Sequence, residues 1–147
     1  MPEVRLLGEA DRAAWLELRL ALWPRDGDDH GFDDDISDML ASGGRLAAYG
    51  AFDGDRLIGL LEVGERSRGE GCDTAPVGWI EGIYVDPGYR RSGVGQALIT
   101  TAETWARTRG YRELGSDVEA SNAASLQSHA AWGFDETKRL VMFRKHL

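Results

Sequence analysis

Cysteine is almost absent from this 147-residue chain, with Cys72 standing alone. A single thiol excludes an intrachain disulfide and a zinc site built from several thiolates, and it favours a reducing compartment. No apolar run approaches the ~18 residues of a membrane span. The stretch from Met1 to Arg12 lacks the basic and apolar regions of a secretory signal, so the expected address is the cytoplasm. Repeats, low-complexity tracts and linkers are missing too, and residues 1–147 read as one domain. With 42% hydrophobic residues and five Trp, that domain can bury a sizeable core.

Positive charge is in short supply. Seventeen Lys and Arg face 25 Asp and Glu, a net charge of -8. Seven of the acids (Asp26, Asp28, Asp29, Asp33, Asp34, Asp35 and Asp38) fall in one stretch that holds a single base, Arg25. Such a patch repels a phosphate backbone and attracts cations, which argues against nucleic acid and for a cationic ligand; a solvated acidic loop is the plainer alternative. Asp26-x-Asp28-x-His30-Gly31 echoes the opening of a calcium loop. The bidentate Glu of such a loop would fall at residue 37, which is Ser, so no metal is expected.

Hydrophobic spacing predicts the order β-α-α-β-β-β-α-β-α-β, a mixed α/β fold whose mixed, mostly antiparallel sheet carries helices on both faces. Val4 to Leu7 is a short first strand. Trp15, Leu18 and Leu22 recur at helical spacing until Pro24, and a second short helix covers Asp33 to Leu40. Arg45 to Phe52 and Arg56 to Glu65 flank Asp53-Gly54-Asp55, a hairpin signal. Val77 to Val85 is a stronger strand, followed by a helix from Val94 to Trp105 that Gly110 closes. Glu113 to Val118 reads as a strand, Ser121 or Asn122 caps another helix ending at Gly133, and Glu136 to Lys145 has strand character.

The most informative unit is the bend Arg90-Arg91-Ser92-Gly93-Val94-Gly95 between strand and helix. A glycine turn feeding a helix N-terminus aims backbone N–H groups at one spot where the dipole also favours an anion. Two preceding arginines point to a di- or triphosphate. The run is neither a Rossmann fingerprint, because Leu98 stands where the third glycine belongs, nor a P-loop, because Val94-Gly95 replaces Lys-Ser/Thr. A purely structural turn is the alternative.

Arg90-x-x-Gly93-x-Gly95 resembles the pyrophosphate loop, Gln/Arg-x-x-Gly-x-Gly/Ala, of the GCN5-related N-acetyltransferase (GNAT) superfamily, and the element order resembles that fold. The resemblance implies acetyl-CoA as cosubstrate. Amides from Arg91 through Ser92, Gly93, Val94, Gly95 and Gln96 would hold its pyrophosphate beside Arg90, and Ile83, Tyr84 and Val85 would pair with pantetheine.

Glu81 is the one carboxylate inside Val77 to Val85, and period-2 alternation puts it on a face with Trp79, Ile83 and Val85. Gly82 beside it suggests a bulge or a close backbone approach. Asp117 stands at the end of the next strand, so neighbouring strands would set two acids around one cavity. The plainer readings are an edge position for Glu81 and a helix N-cap for Asp117.

These acids, with Leu22-Trp23-Pro24, Gly71-Cys72-Asp73, Asn122 and Gly133-Phe134-Asp135, make the chain similar to the aminoglycoside 6'-N-acetyltransferases. That resemblance implies Trp23, Asp26, Glu81 and Asp117 as contacts to a cationic aminoglycoside, Glu81 and Asp117 as catalytic candidates, and Asn122 as a coenzyme contact. Trp23 could equally pack a helix end. His129 stands where many superfamily members carry a tyrosine that protonates the leaving thiolate, and Arg68 and Lys138 replace an aromatic and an acidic contact. Other readings are acetylation of a polyamine or protein amine, and a sensor that binds acyl-CoA without turnover. Val141-Met142-Phe143 ends the chain on apolar residues that either close the protomer's own core or pair a homodimer.

Overall fold

In the computed structural model, residues 2–24 and 31–147 are described; Asp26 lies outside them. Strand β1 (Glu3–Leu6) leads into helices α1 (Arg12–Leu22) and α2 (Phe32–Leu40). Strands β2 (Leu46–Asp53), β3 (Arg56–Arg66) and β4 (Val77–Val85) follow, then α3 (Val94–Thr108), β5 (Leu114–Ser116) and α4 (Ala123–Ala131). Among the described residues five strands form one sheet in the order β1-β2-β3-β4-β5, antiparallel except for the parallel pair β4-β5.

Each face of that sheet is covered by a helical layer whose spacing dictates it. On one side α3 buries Val94, Leu98, Ile99, Ala102, Trp105 and Ala106 against Ala51, Ile58, Leu61, Val63 and Ile80. On the other, α1 and α2 bury Trp15 and Ile36 against Leu7, Ala48, Phe52, Leu57 and Leu60. Pro24 follows α1 as expected, and the hairpin turns through Gly54-Asp55 between the paired Asp53 and Arg56.

Two features of the sheet create the site. Between Glu62/Val63 and their partners the β3-β4 register slips: Val63 faces Ile80 and Glu62 faces Gly82, leaving Glu81 as the extra residue of a bulge. The parallel ladder between β4 and β5 then stops at Ile80 and Ser116. Beyond that point β4 continues to Val85 with β3 on one edge and no paired strand on the other among the described residues.

The last expected strand, Glu136 to Lys145, does not form. Residues 135–147 are exposed and without regular structure. Thr137 lies against Gly71 and Lys138 pairs with Glu70, after which the chain leaves the body with Leu140, Val141, Met142 and Phe143 at 55%, 77%, 86% and 91% exposure. A strand needs a neighbour for its backbone groups, and within one protomer this segment reaches none.

Candidate active site

The bulge decides where Glu81 points. Alternation alone would set it beside Ile83 and Val85, but Ile80, Ile83 and Val85 all pack into the α3 cluster. The extra residue breaks the period, and Glu81 lies on the other side with Trp79. It is exposed rather than buried, as the edge alternative has it. Both of its oxygens accept from Arg66, through Nε at 3.3 Å and Nη2 at 2.5 Å. The same guanidinium lies 4.3 Å above the Trp79 ring. Its pair with Glu81, each side chain about 40% exposed, adds little stability, about 0–1 kcal/mol, and acts chiefly to orient the carboxylate.

Asp117 arrives from the other side of the same indole. Trp79 Nε1 donates to Asp117 Oδ1 at 2.9 Å, and Asn122, not Asp117, caps α4 by accepting from the Ser125 amide at 3.1 Å. Trp79 therefore joins the two acids: Arg66 over its face carries Glu81, and its N–H carries Asp117. The ring fits because positions 115 and 69 are glycine; a Cβ at Gly115 would land on the Trp79 six-membered ring, and one at Gly69 would lie 2.8 Å from it.

Trp23 completes this side. It terminates α1, with its amide on the Arg19 carbonyl, and it meets Phe32 edge-on at 6.1 Å. A Cβ on Gly82 would come within 2.8 Å of both Trp23 and Leu22, so the end of α1 rests directly on the bulge. Trp23, Glu81 and Asp117 are brought to one end of the β4-β5 fork.

Beneath them lies a buried ionic pair. Glu62 is 2% exposed and accepts from Trp15 Nε1 at 2.8 Å; Arg19, 7% exposed, approaches the same carboxylate at 3.5 Å and reaches Asp35 on α2 at 3.2 Å. Arg19 also stacks on Trp23 and Phe32 at 5.0 and 4.7 Å. Burial pushes the Glu62 carboxyl above the usual carboxylate range, while the Arg19 charge and the Trp15 hydrogen bond pull it down.

Between β4 and α3 the chain makes the expected glycine turn. Arg91 (φ 63°) and Gly93 (φ 88°) both adopt the left-handed region, and Gly93 caps α3. The first helical hydrogen bond runs from Ala97 to the Gly93 carbonyl, so the amides just before Ala97 have no partner inside the helix. The Ser92 hydroxyl ties the turn to the Tyr89 carbonyl, and Arg90 Nε donates to the Val85 carbonyl at 2.9 Å while its guanidinium lies 5.7 Å from the Tyr84 ring. Gly95 has a packing reason as well: a Cβ there would meet Trp132 at 2.9 Å. Asn122 Oδ1 is occupied by the cap, and its Nδ2 makes no hydrogen bond among the described residues. Ile83, Tyr84 and Val85 form the half-exposed stretch of β4 past the fork. No group of three or more His, Cys, Asp or Glu able to hold a metal occurs among the described residues, and no helix there is long and apolar enough to cross a membrane.

Both the sequence and the fold have counterparts among known proteins. The model of the acetyltransferase (GNAT) family matches residues 12–134. The chain belongs to this family. An aminoglycoside N(6')-acetyltransferase type 1 of Stenotrophomonas maltophilia is 40% identical over 148 residues, covering 99% of this chain and 94% of its own length. Another, of Klebsiella aerogenes, is 40% identical over 152 residues, covering 99% and 97%. Among solved structures, the aminoglycoside 6'-N-acetyltransferase AAC(6')-IG of Acinetobacter haemolyticus superposes with a TM-score of 0.90 at 35% identity over 99% of each chain. AAC(6')-Iy in complex with the bisubstrate analogue CoA-S-monomethyl-acetylneamine does so at 0.93 and 33% identity, covering 100% of this chain and 99% of that one. The GNAT fold expected from the Arg90 to Gly95 turn and the element order is thus the fold observed.

Sequence reasoning missed Arg66, Gly69 and Gly115. Arg66 pairs in register with Val77, two positions before Trp79, so only the cross-strand register reveals that it can span Trp79 to reach Glu81. Glu62 carried a signal that went unread, a single carboxylate inside the apolar run Leu57 to Val63.

Proposed function

We propose that this GNAT enzyme transfers the acetyl group of acetyl-CoA to the 6'-amine of aminoglycoside antibiotics and so confers resistance. The observation that carries the reading is the pair of acids, Glu81 and Asp117, gathered around Trp79 at the mouth of the β4-β5 fork, on the strand that leads to the glycine turn. Acyl-CoA fits the fork: the turn offers helix-terminal amides for the pyrophosphate beside Arg90 and Arg91, the open edge of Ile83, Tyr84 and Val85 offers backbone partners for pantetheine, and Asn122 Nδ2 offers a donor. No metal takes part in this scheme.

An aminoglycoside is polycationic, and Trp23, Glu81 and Asp117 supply an aromatic wall and two carboxylates; Asp26 is a further contact in this reading. Asp117, held by the Trp79 indole, binds and orients an ammonium group. Glu81, reached by water, takes the proton that the 6'-amine must lose as its nitrogen attacks the thioester carbon directly. An amide of β4 near Ile83 stabilises the charge that develops on the carbonyl oxygen. Arg66 tempers the conflict inherent in this design, since a free carboxylate beside an ammonium would hold the proton on the amine. The enzyme works in the cytoplasm, where acetyl-CoA is available, without nucleic acid or membrane.

The protomer pairs into a homodimer. Four consecutive apolar residues, Leu140 to Phe143, are exposed, and β5 ends the sheet with no further strand among the described residues; a second copy would cover both. Light scattering at micromolar concentration should give a dimer mass, and a chain ending at Lys138 a monomer mass.

Incubation with acetyl-CoA and kanamycin, followed by mass spectrometry and positional assignment of the product, tests the activity. One added acetyl group on the 6'-nitrogen supports the reading. Acetylation of polyamines or protein amines alone, or binding of acetyl-CoA without turnover, contradicts it.

A further inference from the structure

Where β4 and β5 part, the last residue of β5 is bound to a histidine. Ser116 Oγ lies 2.8 Å from His129 Nε2, and His129 Nδ1 lies 2.8 Å from the carbonyl oxygen of Ser125, one turn back along α4. A carbonyl oxygen only accepts, so Nδ1 carries a proton in either charge state. The neutral ring therefore accepts from the Ser116 hydroxyl through Nε2. The imidazolium donates to Ser116 Oγ instead, and this frees the hydroxyl proton to point elsewhere. Trp132 and Phe134 hold the ring from two sides, with centroids 5.3 and 5.2 Å away. His129 Nε2 is thus occupied by the serine, and any proton it delivers passes through Ser116.

We infer that Ser116 is the catalytic acid for the departing coenzyme thiolate and that His129 acts through it. The inference rests on the proposed acetyl-CoA site, because Ser116 pairs with Ile80 at the apex of the fork, immediately before the β4 stretch assigned to pantetheine. As the amine nitrogen forms its bond to the acetyl carbon and the carbon–sulfur bond breaks, the sulfur keeps the bonding pair. Ser116 gives its hydroxyl proton to the thiolate, and the His129 imidazolium replaces it from Nε2. The neutral ring then takes a proton back from water. The proton lost by the amine goes to Glu81, which releases it to water as the ring is recharged, so charge balances over the cycle.

The groups in contact with the ring are Ser116 from β5, Ser125 on its own helix, and Trp132 and Phe134 beyond it, none of them charged. Asp117 follows Ser116 and is held by Trp79. Asp135 follows Phe134, and Trp132 and Phe134 pack on the apolar cluster that α3 forms with the sheet, with Gly95 against Trp132.

The test compares Ser116→Ala, Ser116→Thr and His129→Gln with the unaltered enzyme, using two readouts. In turnover with kanamycin, Ser116→Ala should lower kcat by ~10²-fold or more, the low end of general acid catalysis, with acetyl-CoA affinity by calorimetry unchanged. Ser116→Thr, which keeps the hydroxyl, should restore most of that rate. His129→Gln, which cannot resupply the Ser116 proton, should lower kcat and flatten its dependence on pH. In the binary complex with CoA, followed by ultraviolet thiolate absorbance, the bound thiol should ionise at higher pH in Ser116→Ala than in the unaltered enzyme. Equal kcat and equal thiol titration in Ser116→Ala would overturn the relay. So would loss of activity in Ser116→Thr as severe as in Ser116→Ala, or a parallel loss of coenzyme affinity, since both mark a packing role. Failure of the unaltered enzyme to acetylate kanamycin would overturn the proposed substrate instead, while the thiol titration would still decide the role of Ser116.

Discussion

Two glutamates sit on adjacent strands at the β3-β4 bulge, each beside an arginine and a tryptophan, and they do opposite work. Glu62 is sealed under α1 with Trp15 and Arg19; Glu81 faces water with Arg66 and Trp79. The single inserted residue separates them, because it turns Glu81 toward the fork while Glu62 stays opposite Gly82. In the interior a carboxylate is expensive unless it is paired, so Glu62 and Arg19 fix how α1, α2 and β3 meet, and through Trp23 they fix one wall of the site. At the surface the same chemistry contributes little to stability and stays available to a substrate.

Breaking the buried member should have the largest effect. Glu62→Ala removes the buried partner of Arg19 and leaves it only the half-exposed Asp35, and should destabilise the fold by about 3–5 kcal/mol, whereas Glu81→Gln should cost no more than about 1 kcal/mol. Urea denaturation of the two variants side by side measures the contrast, and equal losses would erase it. The second effect in size comes from filling the space that Trp79 occupies. Gly115→Ala sets a Cβ against the ring and should cost about 1–3 kcal/mol by overpacking; because Trp79 carries Asp117 and Arg66, the aminoglycoside KM should rise as well. Arg66→Ala sharpens the comparison further. It should shift melting only slightly, since an exposed ion pair contributes about 0–1 kcal/mol, yet it should change the pH dependence of turnover, because it frees the Glu81 carboxylate.

The smallest effects are in the pH dependence of stability. The folded state holds the Glu62 proton to higher pH than the unfolded chain does, so this group makes stability fall as pH rises from the ordinary carboxylate range through the raised folded value. Glu113 behaves in the opposite sense. The Thr74 side chain and backbone, then the Asp73 amide, hydrogen-bond its carboxylate and hold it below the usual range; its contribution is present above the unfolded value and lost as pH falls through the folded one. Glu113→Gln should therefore flatten the acid limb of thermal stability, and Glu62→Gln the slope above it.

Much of this was legible in the chain. The strand Val77 to Val85, the helix from Val94, a cap at Ser121 or Asn122 and the Arg90 to Gly95 turn all follow from local spacing and turn chemistry, and the structure has them there, with Asn122 as the cap. Gly82 signalled the bulge. What local pattern could not supply was its consequence, since one extra residue changes which side chains share a face, and alternation then misassigned Ile83 and Val85 relative to Glu81. Arg66 was invisible for a related reason, because its contact depends on a cross-strand register. The final strand failed on different physics: Leu140 to Phe143 have strand composition, but a strand exists only where an edge receives it.

The most direct measurement is the pH profile of kcat/KM for Glu81→Gln against the unaltered enzyme with an aminoglycoside as acceptor. If Glu81 takes the amine proton, the variant should lose about 10²-fold or more near neutrality and recover as rising pH supplies free amine. A loss of the same size at every pH would contradict the account, and would mean that Glu81 only holds the substrate in place.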